Sequence, residues 1–348
     1  MDASKTRPIS LNHSSVCILK NLGLWDSIKP FATPIKTVHI SEKGCFGAVK
    51  INSKDYQLKA LGQVIPLHHL YNHLIEALNQ QANLSLQTPV SVESLKYIEQ
   101  GLALSLSTQE TVTADLVIGA DGAQSTVRDL LHIQIDTKTS PEKALVATLT
   151  ANHQNIAYER FTQEGIVALL PQQNNRCGLV WTTKTPETLL ALSDEDFLKK
   201  VQDHMGFKLG KLSDISPRFS QPLQFTVAKE QIRPHCVLLG NAAHTFYPIA
   251  AQGFNLSLSD MAALVEIIES NQPLNAYDKW RNNYQSSTTI FTQSLANVFA
   301  SELLGIKTCR QASLALLTKI PAIRHLLANF AMGKVGKTPK LALLENFI

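Results

Sequence analysis

Apolar residues occur along this chain in two patterns, short uninterrupted runs and longer stretches with helical spacing. The runs from Asp115 to Gly119 and from Cys236 to Leu239 are bounded by polar residues and glycine, which is typical of buried strands. Helical spacing predicts helices over 12–24, 67–80 and 186–205, and another that opens near Gln252-Gly253 and runs to about Glu269. The alternation of the two patterns predicts an α/β or mixed α+β fold.

A strand-rich unit occupies the middle of the chain. Strands are predicted over 144–150, 156–162, 166–171 and 177–182, with a hairpin turn at Gln172–Arg176, and further strands within 39–62 and 84–106. Thr185 and Pro186 mark the start of the next helix, because threonine favours the N-cap and proline the first helical position.

Small residues follow the second buried strand. Gly240 to Ala243 form a tight turn, and the helix after it begins through Gly253. Small residues let a backbone approach a ligand closely, and a helix N-terminus presents unpaired N–H groups and a positive dipole end. This pattern favours a site for an anionic or electron-rich ligand. The alternative is an ordinary strand-to-helix crossover.

Two motifs carry a resemblance to a known family. The first is Gly119-Ala120-Asp121-Gly122 with Ser125 and Arg128; the second is Gly240-Asn241-Ala242-Ala243-His244, then Pro248, then Ala251-Gln252-Gly253-Phe254-Asn255. Together they resemble the two downstream fingerprints of the flavin-dependent aromatic hydroxylases, the family of p-hydroxybenzoate hydroxylase. Segments 37–47, 55–64, 158–165 and 176–181 resemble its ubiquinone-biosynthesis branch, and the 2-octaprenyl-6-methoxyphenol hydroxylases within that branch most of all.

The resemblance implies a p-hydroxybenzoate-hydroxylase-like fold with interleaved domains. An FAD-binding domain would be built from 1–36, 63–138 and 229–300, and a β-sheet substrate domain from 37–62 and 139–228. Residues 301–348 would form a C-terminal helical region. The likeness runs from about Ser10 to Val298.

The resemblance also implies which residues bind the cofactor. The residues that match family positions near FAD are Arg7, His68, Asp121, Gly122, Arg128, Gly240, Asn241, Pro248, Gly253, Phe254 and Asn255. Asn241 stands where the family usually has Asp, and an amide can still hydrogen-bond the ribityl chain. Ala251 and Ser257 each stand where the family has Gly, and their side chains leave less room for the flavin ring to approach the backbone. His244 lies near the flavin or is a structural histidine, and no general base is assigned.

The activity implied is hydroxylation of the aromatic ring of a polyprenyl (methoxy)phenol in ubiquinone biosynthesis. NAD(P)H would reduce FAD, and one oxygen atom of O₂ would enter the ring. Water must be excluded from such chemistry. The predicted strands offer Phe161, Leu169, Leu170, Val180 and Trp181 as the lining of an apolar pocket for the prenyl tail, although such residues are more often plain core.

One family element does not occur in these 348 residues. The family opens with a βαβ unit whose G-x-G-x-x-G binds the FAD pyrophosphate, and no such pattern is present. We therefore expect residue 1 to correspond to a point just beyond that unit. An incomplete gene product, a remnant that no longer binds FAD, and complementation by a second chain all stay open. The alternative function is a non-catalytic relative that scaffolds other ubiquinone-biosynthesis enzymes.

Composition narrows the partners. The chain is 44% hydrophobic and 17% charged with a net charge of +4, and it contains no apolar run of about twenty residues. The tail from 301 to 348 holds seven basic and two acidic residues among many leucines, a composition that suits either a helical cap or peripheral contact with an anionic membrane. No nucleic-acid motif occurs. The expected location is the cytoplasm, with possible peripheral contact to the inner membrane.

Cysteines and histidines give no metal motif. The five cysteines are scattered and contain no C-x-x-C pair, which is typical of reduced thiols. His69 and His73 lie one helical turn apart without a third ligand or an H-E-x-x-H pattern. We therefore expect no metal site.

Overall fold

The structure is a computed structural model that describes residues 7–45, 48–245, 252–282, 284–285 and 321–343. Its strands are β1 Pro8–Asn12, β2 Thr33–Ile35, β3 Thr37–Glu42, β4 Ala48–Asn52, β5 Gly62–Pro66, β6 Val92–Ile98, β7 Gly101–Leu106, β8 Thr111–Ala114, β9 Val117–Gly119, β10 Ile135–Thr150, β11 Ile156–Thr162, β12 Gly165–Gln172, β13 Arg176–Thr183, β14 Phe219–Ala228, β15 Ile232–Arg233, β16 Cys236–Leu238 and β17 His244–Thr245. Its helices are α1 His13–Asn21, α2 Trp25–Ile28, α3 Leu67–Asn79, α4 Thr126–Leu130, α5 Pro186–Leu190, α6 Asp194–Met205, α7 Gln252–Glu269, α8 over 274–282 and α9 Pro321–Met332. The mixed α/β fold predicted from the sequence is confirmed.

An eight-stranded sheet in the order β17-β14-β10-β13-β12-β11-β3-β4 forms the largest layer. On one face, here called the outer face, Leu169, Leu179 and Trp181 pack against α5 and α6. The Trp181 and Phe197 rings lie 5.9 Å apart between centroids. Burial of these large side chains supplies the main hydrophobic core.

The opposite, inner face of this sheet packs against β1, β2 and β5. Successive residues of a strand point to opposite faces. The register pairs Tyr158 with Leu169 and Glu159 with Ala168, so Ala157, Glu159, Ala168 and Leu170 share the inner face. Ala157 and Leu170 pack against β2 and β5. Gly178 on β13 lies so close to the Pro8 ring that a side chain there would clash. β1 is therefore pressed directly onto this sheet.

The register corrects the pocket lining expected from the sequence. Leu169 and Trp181 point to the outer face, where α6 covers them. Leu170, Val180 and Phe161 lie on the inner face, by the same alternation as Glu159. A run of apolar residues predicts a strand but not which of its two faces meets which layer, and only the strand register decides this.

A second, smaller sheet carries the motifs. It has the order β15-β16-β9, and β16 runs parallel to β9 with Val237 opposite Ile118. Both predicted buried strands are therefore confirmed as neighbours. A third sheet, β1-β5-β2, joins this region to the large sheet.

Three sequence expectations differ from the structure. The helix predicted over 186–205 is split, because the Ser193 hydroxyl accepts from the Asp196 N–H and begins a new helix whose first turn is acidic. β10 begins nine residues before the predicted strand, because its polar first half pairs with β14, which the sequence did not predict. Within 84–106 strands begin only at Val92, and the third strand of this meander is Thr111–Ala114.

The described part of the C-terminal region packs onto the fold. Ala328 and Met332 of α9 are buried against Val49 and Ile51 of β4, as expected for a helical cap. Among the described helices, none is both long and apolar enough to cross a membrane. Peripheral membrane contact through 301–348 stays a prediction, and 301–320 lie outside the described residues.

Candidate functional site

The two sequence motifs meet at one edge of the smaller sheet. β9 and β16 are parallel neighbours, and the Leu239 N–H donates to the Gly119 carbonyl over 2.9 Å. The turns that follow the two strands therefore leave the sheet side by side. Crevices outside the carboxyl ends of parallel strands are where open α/β sheets bind ligands.

The turn after β9 is fixed by its own polar side chains. Ser125 caps α4 by accepting from the Arg128 N–H over 3.0 Å. The Asp121 carboxylate accepts from the Val127 N–H over 3.0 Å and from the Ser125 hydroxyl over 2.5 Å. Gly122 holds φ at +92°, in the region that favours glycine. Asp121 is therefore engaged in shaping the turn that it belongs to.

Arg128 joins the two turns. Its side chain is buried, and its Nη1 donates to the Ala242 carbonyl over 3.2 Å while Nη2 donates to the Ala123 carbonyl over 3.1 Å. The resemblance implied a residue close to the cofactor. The structure shows a guanidinium whose two amino groups fix the relative position of both motif turns, so we assign Arg128 a positioning role.

The turn after β16 packs closely on α7. Gly240 has φ of +60°, and a Cβ there would lie 3.5 Å from the Ser257 hydroxyl. That hydroxyl donates to the Gly253 carbonyl over 3.0 Å. The Asn241 side chain next to this turn is exposed. Pro248 lies outside the described residues.

The N-terminus of α7 is anchored by Asn255. Its Oδ1 accepts from the Asn12 N–H over 2.8 Å and from the Ser15 hydroxyl over 2.7 Å, and its Nδ2 donates to the Ser10 carbonyl over 2.9 Å. The side chain itself is buried. The first N–H groups of a helix have no intrahelical acceptor. Asn255 therefore holds these groups of α7 in a fixed direction relative to β1 and α1.

Open space adjoins both motifs. Among the described residues, no atom lies within 4 Å of a Cβ built on Gly122 or Gly253, whereas Phe254 packs partly buried beside α1 and α3. The glycines thus border a volume that a flat ligand can enter, while their neighbours are fixed by packing.

Replacing Asn255 by Ala tests this anchor. We expect the free energy of unfolding to fall by about 2 kcal/mol, because three hydrogen bonds are lost and buried groups are left unpaired. Urea unfolding followed by circular dichroism measures the change. Asn282→Ala, which removes a surface hydrogen bond to Asp278, is the control. Equal losses in the two variants would contradict the anchoring role.

The backbone segments that carry Arg7 and His68 lie next to each other. The Leu67 N–H donates to the Arg7 carbonyl over 2.9 Å, so the strand that begins after Arg7 and the helix that carries His68 start together. Arg7 Nη1 donates to Gln221 Oε1 over 3.2 Å. The His68 ring lies 4.0 Å from that of His69. The structure therefore brings these two predicted site residues together.

His244 belongs to a buried polar network. Its Nε2 lies 2.8 Å from Asp260 Oδ2, and Arg281 Nε donates to Asp260 Oδ1 over 2.6 Å. Gln285 donates to the same carboxylate over 3.1 Å. Burial would raise the pKa of Asp260, but the Arg281 charge and the His244 hydrogen bond outweigh it and lower that pKa. His244 therefore has a structural partner, and within the described residues no group of side chains could hold a metal ion.

One carboxyl with a pKa raised by burial, Glu159, was not expected from the sequence. Glu159 lies on the inner face of the large sheet between Ile40 and Ala168. Ile40 packs in the cluster that includes α9, and neighbouring Ala157 packs on β2 and β5. The carboxyl keeps some accessible surface, yet burial raises its pKa to about 7. Within the described chain it has no hydrogen-bond or ion-pair partner. The available signal was a charged residue between Ala157 and Phe161 on an otherwise apolar face of β11.

Comparison with known proteins agrees with this geometry. The sequence model of a family described as FAD binding domain matches residues 2–295. A ubiquinone hydroxylase, UbiL, from Rhodospirillum rubrum is 28% identical over an alignment 338 residues long that covers 92% of this chain and 79% of that protein. The 3-demethoxyubiquinol 3-hydroxylase of Escherichia coli is 27% identical over an alignment 265 residues long that covers 74% of this chain and 67% of that protein.

Solved structures share the fold. The p-nitrophenol 4-monooxygenase PnpA from Pseudomonas putida superposes with a TM-score of 0.75 at 15% identity, over 95% of this chain and 89% of that one. An HpxO variant from Klebsiella pneumoniae in complex with FAD gives a TM-score of 0.76 at 14% identity, over 94% of this chain and 89% of that one. These likenesses confirm the p-hydroxybenzoate-hydroxylase-like architecture.

Proposed function

The chain belongs to the FAD binding domain family, and we propose that this flavoprotein is a monooxygenase that hydroxylates the aromatic ring of a polyprenyl phenol in ubiquinone biosynthesis. NAD(P)H and O₂ are its co-substrates in this proposal. The observation that carries it is the meeting of the Asp121-Gly122 turn, the Gly240 turn and the α7 N-terminus beside open space. Nothing in the fold or the comparisons favours the non-catalytic scaffold.

The residues present fit the riboflavin half of FAD. Gly122 and Gly253 border open space, and the N–H groups at the start of α7 suit the electron-rich edge of a flavin ring. Asn241 is exposed next to the turn and can both donate and accept hydrogen bonds. When bound there, FAD supplies the redox chemistry, from hydride acceptance to oxygen transfer. The protein's own residues bind it, orient it and exclude water.

The inner face of the large sheet suits the substrate. In this proposal the half-buried Val180 offers apolar surface to a prenyl chain, beside Phe161, which is buried, and Leu170, which packs against β2 and β5. Apolar side chains here keep water from the reacting ring. The close contact of Gly178 with Pro8 joins this face to the start of β1, and Asn12 at the other end of β1 contacts Asn255. Cofactor and substrate surfaces are therefore connected through one short strand.

Glu159 supplies the general base that the sequence did not identify. A carboxyl whose pKa lies near the working pH takes and returns a proton most efficiently. In this proposal the phenol O–H bond breaks, the proton moves to the Glu159 carboxylate, and the electron pair stays on the phenol oxygen. The negative charge makes the ring more reactive toward an electrophilic oxygen. When the ring regains its aromaticity, its displaced hydrogen leaves as a proton.

Cofactor binding is the direct test of the proposed function. We expect the full-length protein to take up one FAD and to show flavin absorbance in the visible range. Gly253→Val should lower FAD affinity at least tenfold, because the new side chain fills space at the α7 N-terminus, while Ala191→Val, at an exposed position of α5's end, should not. Fluorescence titration with FAD measures both. A protein that takes up no FAD and forms no hydroxylated product would sink the proposal.

A further inference from the structure

A second cavity opens on the outer face of the large sheet, away from the motif turns. It has a volume of about 470 Å³ and lies between β3, β4, β11 and the segment that follows α6. Ser41 and Arg160 line it, whereas Ile40 and Glu159 next to them in sequence point to the inner face. The cavity is therefore separated from the proposed cofactor site by the thickness of the sheet.

Three basic side chains line this cavity. They are Lys50, Arg160 and Lys208, and within the described residues none of them has an ion-pair partner. Burial, then the charges of Arg160 and Lys50, lower the pKa of Lys208, so these cations lie close enough to repel one another. Glu42 is the one carboxylate among the lining residues. Like charges gathered in this way favour an anion between them.

Unpaired polar atoms are buried at the same place. His39 is 5% exposed, and its Nδ1 has no hydrogen-bond partner among the described residues. The Arg160 Nε is also buried without a partner in that part of the chain, while its Nη1 donates to the Ser41 hydroxyl over 3.2 Å and fixes the guanidinium. Buried polar groups nearly always have partners, so two orphans beside three cations need an explanation. A bound oxyanion would accept from both.

We propose that this outer-face cavity binds a phosphate-bearing anion through Arg160, Lys50, Lys208 and His39. Arginine matches the planar arrangement of two phosphate oxygens, and lysines add charge without fixed geometry. The lining carries three positive charges and one negative, which suits an anion of one or two charges. The volume lies within the range of small-ligand pockets, about 300–1,000 Å³, so the phosphate can carry a substituent.

Two sources supply such an anion, a free phosphate compound or a phospholipid headgroup. Phe207 lines the cavity mouth with 77% of its surface exposed. An exposed aromatic ring beside lysines is typical of residues that enter a membrane interface. The shared chemistry is the phosphate oxyanion, and the two sources differ in whether Phe207 contributes to binding.

Calorimetric titration of the FAD-loaded full-length protein with inorganic phosphate, at constant ionic strength, tests the site. Lys208→Ala and Arg160→Met should each weaken binding at least tenfold. Lys199→Ala, an exposed lysine on α6 outside the cavity, removes the same charge and should leave binding unchanged. Lys208 is itself exposed, so its variant folds even if the Arg160 variant does not.

Sedimentation with vesicles of phosphatidylglycerol and phosphatidylcholine separates the sources. Binding to anionic vesicles that Phe207→Ser and Lys208→Ala both reduce supports a headgroup, whereas phosphate binding without vesicle binding supports a free compound. The proposal is overturned if neither phosphate nor anionic vesicles bind, or if Lys199→Ala weakens binding as much as Lys208→Ala. Because FAD content and hydroxylation are not the readout, failure here leaves the proposed function intact.

Discussion

Glu159→Gln should lower the hydroxylation rate at least 100-fold, within the range expected for loss of a general base. Glutamine keeps the size of the side chain but cannot take a proton from the phenol. FAD binding should not change, because Glu159 lies on the substrate sheet and not in the motif turns. We expect NAD(P)H oxidation to continue with less product per NAD(P)H consumed.

The protonation state of Glu159 determines how the hydroxylation rate changes with pH. Since burial raises the pKa of Glu159 to about 7, the carboxylate is the minor form below pH 7 and the major form above it. The wild-type kcat/KM should therefore rise about tenfold per pH unit below 7 and level off above it. Glu159→Gln should flatten this limb, which a purely structural role would not do.

Steady-state kinetics with a short-chain prenyl phenol from pH 5.5 to 9, a range set about one to two units either side of that pKa, measure both effects. Glu99→Gln, an exposed carboxyl in the turn between β6 and β7, is the matched control and should behave as wild type. A Glu159→Gln variant that keeps the wild-type rate and the same pH limb would rule out the assignment.

Asp260→Asn should lower the free energy of unfolding by about 3–5 kcal/mol, the usual cost of breaking a buried ion pair by removing one partner. The Arg281 side chain is 1% exposed, and its Nη1 and Nη2 already lack hydrogen-bond partners, so it would be left as an uncompensated buried charge. His244 would lose its acceptor as well. Chemical unfolding of the wild type and the variant measures the difference.

Two further variants make this prediction specific. Asp278→Asn on α8, the helix that carries Arg281, alters a surface hydrogen bond to Asn282 and should cost about 0.5 kcal/mol or less. Asp260→Asn combined with Arg281→Met removes both charges and should be more stable than Asp260→Asn alone. If the double variant is the less stable of the two, the cost does not come from the unpaired charge.

FAD occupancy should fall in Asp260→Asn, because Asp260 fixes α7 against α8 and β17.

Much of this architecture could be predicted from residue patterns. The Cys236–Leu238 strand and the Gln252–Glu269 helix were expected within one residue, because apolar periodicity and glycine placement are local signals. β14 was not expected, because the consecutive Ser220, Gln221 and Pro222 interrupt the alternating pattern of Phe219–Ala228 and its partner strand β10 is distant in sequence. Pairing between strands that are far apart in the sequence cannot be predicted from the residue pattern of either short segment alone.

The backbone elements of the candidate site could be predicted from the sequence, but the contacts of its side chains mostly could not. The motifs located the two turns and the helix N-terminus. The residue types alone did not show that Arg128 binds carbonyl oxygens of both turns or that Asn255 anchors β1. Glu159 needed the tertiary contacts, since alternation places it on the same face as Ala157 but only the packing of Ala157 on β2 and β5 shows which layer that face meets. Side-chain roles therefore depended on contacts between distant segments.

The Asn255 anchor also determines when this site can form. Asn255 and Ser10 are 245 positions apart, and Arg128 and Ala242 are 114 apart. Contacts of such separation require closure of long loops before they add any stability, which makes them late events in folding. During synthesis the chain cannot complete the cofactor site until α7 has left the ribosome. The flavin therefore binds after the chain has folded, and its binding cannot direct the folding of the N-terminal half.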